Sequence, residues 1–245
     1  MLVINDEKTH LVVMGRKKID SVRCEVTLQA GVHTILPSET QKLLGCHIHQ
    51  SLKWREHIQT NEKSIIRQLT SRLNAIRKLS INAPFQTRLM AANSVFISVL
   101  TYLVPLWSNS EAYLLKALQV VQNKAARCVT RQSWFTATRQ ILKQCGWMSI
   151  RQLAFYHTVL TMHRILRSSK PVYLRSKVSY DYPYHTRQAT GGNIRYNRAK
   201  VVEGSFISRA TRNYNSIPDD FKAVKTLLMF KKKLRKWTLE NIPIE

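Results

Sequence analysis

The hydrophobic pattern changes period at Trp54, and that change sets the order of structural types along the chain. Before it, apolar residues come in short runs. Thr9 to Met14 (THLVVM) stops at Gly15, Val22 to Leu28 (VRCEVTL) alternates, and Lys42 to Ile48 (KLLGCHI) holds a glycine. Runs of this length bounded by turn residues predict strands, and a glycine inside one predicts a bulge or a close backbone approach. The polar Asn5 to Lys8 reads as a turn. After Trp54, the residues Ile58, Ile65, Leu69, Leu73, Ile76 and Leu79 recur at helical steps. The expected fold class is therefore α+β: a short N-terminal β unit followed by a mostly α-helical remainder.

The helical part continues with clear punctuation. Pro84 is placed to open a second helix, with Asn82 as its cap, and a third runs from about Ser110 with Leu114, Leu118, Val121, Ala125 and Cys128 inward. A fourth ends at Gly146, and a fifth covers Ser149 to Ser168 before Pro171. Residues 176–217 form a basic, Tyr-rich loop region. Pro218-Asp219-Asp220 then opens a terminal amphipathic helix with Phe221, Val224, Leu228, Phe230, Leu234 and Trp237 inward and seven cations from Lys222 to Lys236 outward. The boundaries expected are 1–53, 54–175, 176–217 and 218–245. The longest apolar stretch, Val95 to Trp107, is 13 residues with Pro105 inside it. That is too short to span a bilayer and predicts a buried core helix.

Charge narrows the partner. The formal net charge is +25, and Glu111 is the only carboxylate between Lys63 and Lys177. Residues 1–60 hold 8 basic and 6 acidic side chains, and the rest holds 31 and 8. Self-repulsion of this size calls for a polyanion. The cations are spread over several helices rather than gathered in one amphipathic segment, which favours nucleic acid over a membrane surface. No basic segment followed by an apolar one marks a signal peptide at the N-terminus. The four cysteines, Cys24, Cys46, Cys128 and Cys145, lack paired spacing and fit free thiols in a reducing, intracellular compartment, nucleus or cytoplasm.

Catalytic constellations are hard to find. Asp6-Glu7 lies in a turn, and Asp219-Asp220 is explained by the preference for acids in the first turn of a helix. Cys46, His47 and His49 alternate across a strand, while Cys128, Cys145, His157 and His163 are spaced 17, 12 and 6 apart, unlike a structural zinc site. Gly191-Gly192 follows no strand and precedes no helix, so it makes no phosphate loop. The expectation is no metal and no cofactor in this chain. What remains is binding: Lys and Arg for phosphates, with Trp54, Trp134, Tyr180, Tyr182, Tyr184 and Tyr196 able to stack on bases. Burial is the favoured reading for Trp54, at a strand-to-helix junction. For the tyrosines, ligand contact and loop packing stay open.

Several segments resemble the reverse transcriptases of non-LTR (LINE-type, jockey-like) retrotransposons. LLGCHIHQSLKWREHI is similar to a segment near the end of that family's polymerase domain, and NDEKTHLVVMG to an "N..KT" segment upstream of it. VQNKAARCVT resembles the family's "lQN.a.R" helix. YHTRQAT and then EGSFISRATRNYNSIPDDFKAVKTLLMFKKKLRKW resemble its C-terminal run, with Tyr214-Asn215 where Trp-Asn is usual. The five segments stand in the family's order.

The resemblance implies that residues 1–53 are the end of the palm, 54–175 a thumb-like region, and 218–245 a C-terminal basic helix. The aspartates that hold catalytic Mg²⁺ would belong to fingers and palm upstream, so the chain would be a fragment inactive alone, with Mg²⁺ expected only in the full-length RNA-directed DNA polymerase. Its implied partners are RNA and DNA as template–primer duplex, together with the missing fingers and palm; no membrane is expected. Lys8 falls where the family carries a lysine proposed as general acid; an exposed turn lysine is the alternative. Leu44-Gly45 corresponds to the primer-grip turn. The nucleic-acid contacts implied or read from charge are Leu44, Gly45, Lys53, Lys63, Arg67, Arg72, Arg77, Lys78, Arg187 and Arg195. The alternatives are a stand-alone basic RNA- or DNA-binding module, chaperone-like in action, and a non-functional remnant of an element.

Overall fold

The computed structural model describes residues 8–14, 26–30, 33–180, 192–196, 204–224 and 226–244. The expected strand over Val22 to Leu28 falls largely outside these residues. The chain is mostly helical with small antiparallel sheets, an α+β arrangement. It divides into two compact units, residues 1–71 and 72–245.

In the first unit, β1 (Leu28–Ala30) pairs with β2 (His33–Ile35), and β3 (Thr40–Leu43) with β4 (Cys46–His49), both antiparallel. Three expectations are corrected here. Residues 9–14 form no strand: Leu11 makes a single bridge to Pro37, and its carbonyl accepts from Ser38 N–H at 2.8 Å and from Ser38 Oγ–H at 3.2 Å. An apolar run becomes a strand only where a partner edge continues beside it. KLLGCHI is not one strand with a bulge but the bend of the β3–β4 hairpin. Leu43 pairs with Cys46, and Leu44 and Gly45 both take positive φ, 47° and 80°. Two such residues in a row make the turn whose twist suits a hairpin, and leucine is an unusual choice for it. The helix expected to run unbroken from Trp54 is split. A π-helical turn, Glu56–Thr60, ends at Asn61, whose side-chain carbonyl accepts from Lys63 N–H, and α1 (Ile65–Leu79) follows. Of its expected inward residues, Ile65, Leu69, Leu73 and Ile76 are buried, whereas Leu79 at the helix end is exposed.

The second unit is built around α7. Before it come α2 (Phe85–Ala92), which continues through a π-helical turn (Asn93–Ile97) into α3 (Ser98–Thr101), then α4 (Val104–Trp107), α5 (Ala112–Thr130) and α6 (Thr138–Cys145). The apolar stretch over Val95 to Trp107 is thus not one core helix. It breaks at Leu103, which takes φ 54°, and Trp107 Nε1 donates to the freed Tyr102 carbonyl at 2.8 Å. Pro84, not Asn82, stands at the start of α2. On α5, Cys128 is only half-buried, unlike Leu114, Leu118, Val121 and Ala125. Gly146 closes α6 at φ 65°, as its position predicts.

α7 (Ile150–Ser168) opens on a reciprocal cap: Ser149 Oγ accepts from Gln152 N–H while Gln152 Oε1 accepts from Ser149 N–H. It packs against α4, α5, α9 (Phe206–Asn215) and α11 (Leu227–Asn241). Short α8 (Val172–Arg175) leads into β5 (Val178–Ser179), which pairs with β6 (Arg195–Tyr196). Phe155, Val159 and Met162 of α7, Ile207 and Tyr214 of α9, and Phe230 and Leu234 of α11 form the core. The single terminal helix expected from Pro218 is two. α10 (Asp219–Lys222) stops, Thr226 caps α11 by accepting from Met229 N–H, and Leu228 is exposed instead of buried. A fresh cap restarts the helical phase, so a period counted from Pro218 misplaces Leu228.

Carbonyls at the helix ends are satisfied by arginines. Arg88 donates to Val129 O at 2.8 Å and Ala83 O at 2.6 Å, and Arg131 to Ser80 O and Ile81 O beyond the end of α1. Arg235 reaches Gly146 O at 2.6 Å, and Arg72, Arg127, Arg167, Arg175 and Arg209 each donate to a further carbonyl. A cation at a helix C-terminus also opposes the negative end of the helix dipole. A lysine cannot bridge the two acceptors of Arg88, so Arg88→Lys is expected to cost about 1–2 kcal/mol in urea unfolding. An unchanged unfolding midpoint would deny these bonds a part in stability.

His163 is buried and lies flat on Phe230, ring centroids 3.6 Å apart and planes 5° from parallel. Burial first, and a nearby positive group second, hold His57, His157 and His163 each at about 4 instead of 6.5. The unfolded chain then binds protons more readily than the folded one, so these groups favour folding fully above pH 6.5 and lose that effect as pH falls toward 4. The melting temperature is expected to drop across that window, and less steeply in His163→Leu; equal slopes would acquit His163.

Candidate nucleic-acid interface

Leu44 and Gly45 form the exposed tip of the β3–β4 hairpin, with Leu44 83% exposed. β4 packs against the π-helical turn, where His57 Nδ1 accepts from His47 N–H at 3.4 Å and the Trp54 ring meets His57 edge-on. Trp54 is half-buried, and Cys46 and His47 are buried. The hairpin therefore rests on a packed base and presents its turn outward.

The cations divide by what they touch. Lys53 and Lys63 are exposed in the connections before α1, Arg67 is exposed on its first turn, and Arg77 and Lys78 are exposed on its last. Arg77 donates to Asn74 Oδ1 on its own helix at 3.3 Å. Arg72 departs from the expectation: it is half-buried and its guanidinium donates to the Val95 carbonyl. Arg195 is exposed on β6, beside α9, on a different element from the α1 cations. Lys8 is exposed, while Arg187, Tyr182 and Tyr184 lie outside the described residues.

Two aromatic rings stand out in the connection between α5 and α6. Trp134 is 65% exposed and Phe135 94% exposed. The Arg127 guanidinium lies 4.8 Å from the Trp134 ring centre, and it also donates to Thr136 O. The connection is anchored from inside. Gln119 and Gln122 are buried, Gln122 donates to Met148 O at 2.8 Å, and Asn123 donates to Thr138 Oγ1 at 3.2 Å. A fixed loop holding two rings in water beside a guanidinium offers a stacking platform for bases. Trp134 was among the aromatics flagged by sequence; Phe135 was not, although adjacent aromatics between two helical runs, on neither apolar face, are a readable signal. Of the tyrosines, Tyr180 is exposed with Arg175 over its ring at 5.9 Å, and Tyr196 is half-buried.

Burial raises the Cys46 thiol and pushes Cys145 up to about 12, which keeps both protonated and poor nucleophiles. Among the described residues no group of His, Cys, Asp and Glu is arranged to hold a metal ion. Asp219 and Asp220 pair with Lys222 at 2.7 Å and Lys233 at 3.2 Å. No helix among the described residues is long and apolar enough to cross a membrane. Comparison with family models, curated proteins and solved structures returned no match.

Replacing Trp134 and Phe135 together by alanine is expected to weaken binding of a short single-stranded oligonucleotide roughly tenfold, with little change in melting temperature. Fluorescence anisotropy at fixed salt measures the first and a thermal melt the second. Undiminished affinity would remove these rings from the interface.

Proposed function

We propose that this chain is the rear part of a LINE-type reverse transcriptase, comprising the end of the palm, the thumb and the C-terminal region, and that it grips template–primer nucleic acid by its phosphate backbone. The observation that carries this is the placement of Lys63, Arg67, Arg77 and Lys78, exposed at and along the helix that follows the Leu44–Gly45 turn. That is the order in which a primer-grip turn and a thumb helix stand in the family the sequence resembles. Contacts to phosphates suit an enzyme that must copy any template, because they carry no sequence information. On this reading Lys53 and Arg195 add further phosphate contacts, Arg72 serves the fold, and the remnant of the palm is the β3–β4 hairpin with its supporting π-helical turn.

The described residues do not fit a two-metal site. Both adjacent aspartates are engaged by lysines, and no aromatic-x-Asp-Asp sequence occurs in the chain. Chemistry on this reading therefore needs fingers and palm as partners, and Mg²⁺ would act there. Lys8 would serve as a general acid only in that company.

A second reading, a binding module acting by itself on single strands, is favoured by Trp134 and Phe135, because exposed rings recognise unpaired bases and not a duplex backbone. The two are separated by comparing an RNA–DNA hybrid with a single strand of equal length. The first reading expects the hybrid to bind better, with log affinity falling linearly against log salt. It also expects the combined Lys63→Gln, Arg67→Gln, Arg77→Gln and Lys78→Gln variant to lower that slope by roughly four. Preference for the single strand, or a slope unmoved by the four substitutions, would overturn it.

A further inference from the structure

A cavity of about 330 Å³ lies between the α4–α5 connection, α7, α9 and the segment after α11. Its apolar walls include Phe155 and Ile242, and its polar lining includes Ser108, Arg151, Thr158 and Arg209. No aspartate or glutamate is among the lining residues. Thr158 is 1% exposed and Ser108 8%, and the Oγ1 and Oγ atoms of these two residues have no hydrogen-bond partner among the described residues. The same holds for Nε and Nη1 of Arg209, both buried. Its remaining nitrogen, Nη2, donates to Pro105 O at 2.8 Å, which fixes the guanidinium in the wall. Arg151, seven residues before Thr158 on α7 and so on the same helix face, is exposed.

Buried donors without acceptors are costly, and a buried guanidinium more so. Arg127 Nε and the Oγ1 atoms of Thr211 and Thr238 also lack a partner in this unit, but here four such atoms belong to residues that line one space. We propose that this cavity binds a phosphate group, held between Arg209 and Arg151 and accepting hydrogen bonds from the Thr158 and Ser108 hydroxyls. A tetrahedral oxyanion offers three or more acceptor oxygens to donors from four side chains, which a planar carboxylate cannot match with two. The volume falls at the small end of ligand sites and leaves room beside Phe155 for part of an attached sugar. The phosphate comes either from a free phosphate or mononucleotide, or from the phosphorylated end of a nucleic-acid strand. The inference does not rest on the polymerase reading.

The test titrates the full chain at about 0.15 M salt with inorganic phosphate, a mononucleotide, and a trinucleotide with and without a 5′-phosphate, followed by calorimetry. Arg209→Ala would also free the Pro105 carbonyl, so the decisive variants are Arg151→Gln and Thr158→Val, whose side chains make no hydrogen bond within the described fold. Affinity is expected to fall about tenfold in Arg151→Gln and several-fold in Thr158→Val, with no change when the exposed Lys232 and Lys236 become glutamine. Inorganic phosphate binding as well as the mononucleotide identifies the free source; tight binding of only the phosphorylated trinucleotide identifies the strand end. Equal affinity in native chain and both variants, or an equal loss in the lysine control, would overturn the site.

Discussion

The bond between an arginine guanidinium and a helix-end carbonyl is the interaction on which the helical unit depends. Every helix leaves carbonyls unpaired at its C-terminus, and most proteins meet them with glycine caps, water or neighbouring side chains. In this chain carboxylates are scarce, so arginines have few anionic partners and turn to carbonyls. Arg88, Arg131 and Arg235 each tie segments far apart in sequence: α2 to the end of α5, the α5 terminus to the turn after α1, and α11 to the end of α6. The same residues that make the net charge so high therefore hold the helices in place.

That division of labour sharpens the functional reading. Counting cations overstates the surface available to a polyanion, because eight arginines among the described residues donate to backbone carbonyls. The segments that resemble the polymerase family carry much of this internal framework. Gln122, Asn123 and Arg127 secure the α5–α6 connection from within, and Asn215 exchanges two hydrogen bonds with the backbone of Ile194. Those motif positions hold loops in shape, and the proposed contacts with nucleic acid fall on other, exposed residues.

Much of the helical part was legible in the sequence because its signals are local. Gly146, the bounds of α7 and the apolar faces of α1 and α5 follow from spacing alone. What escaped depended on partners or on restarts of phase. Thr9 to Met14 has strand composition without a strand's neighbour, Leu44 occupies a turn position that usually asks for asparagine or glycine, and Thr226 restarts a helix whose count had begun at Pro218. In the candidate site, Lys63, Arg67, Arg77 and Lys78 were readable from helical phase. Arg72 was not, since its acceptor, Val95 O, lies 23 residues further along.

That the carbonyl clasps are all arginines has a chemical corollary. Acylation directed at lysine would strip charge from the surface and leave the carbonyl clasps intact. A dicarbonyl reagent directed at arginine would reach Arg131 and Arg235 in the folded chain and the buried Arg88 only as helices fray, and each adduct would keep its clasp from closing again. The first reagent would lower the net charge with the framework whole, and the second would lower it while opening the framework.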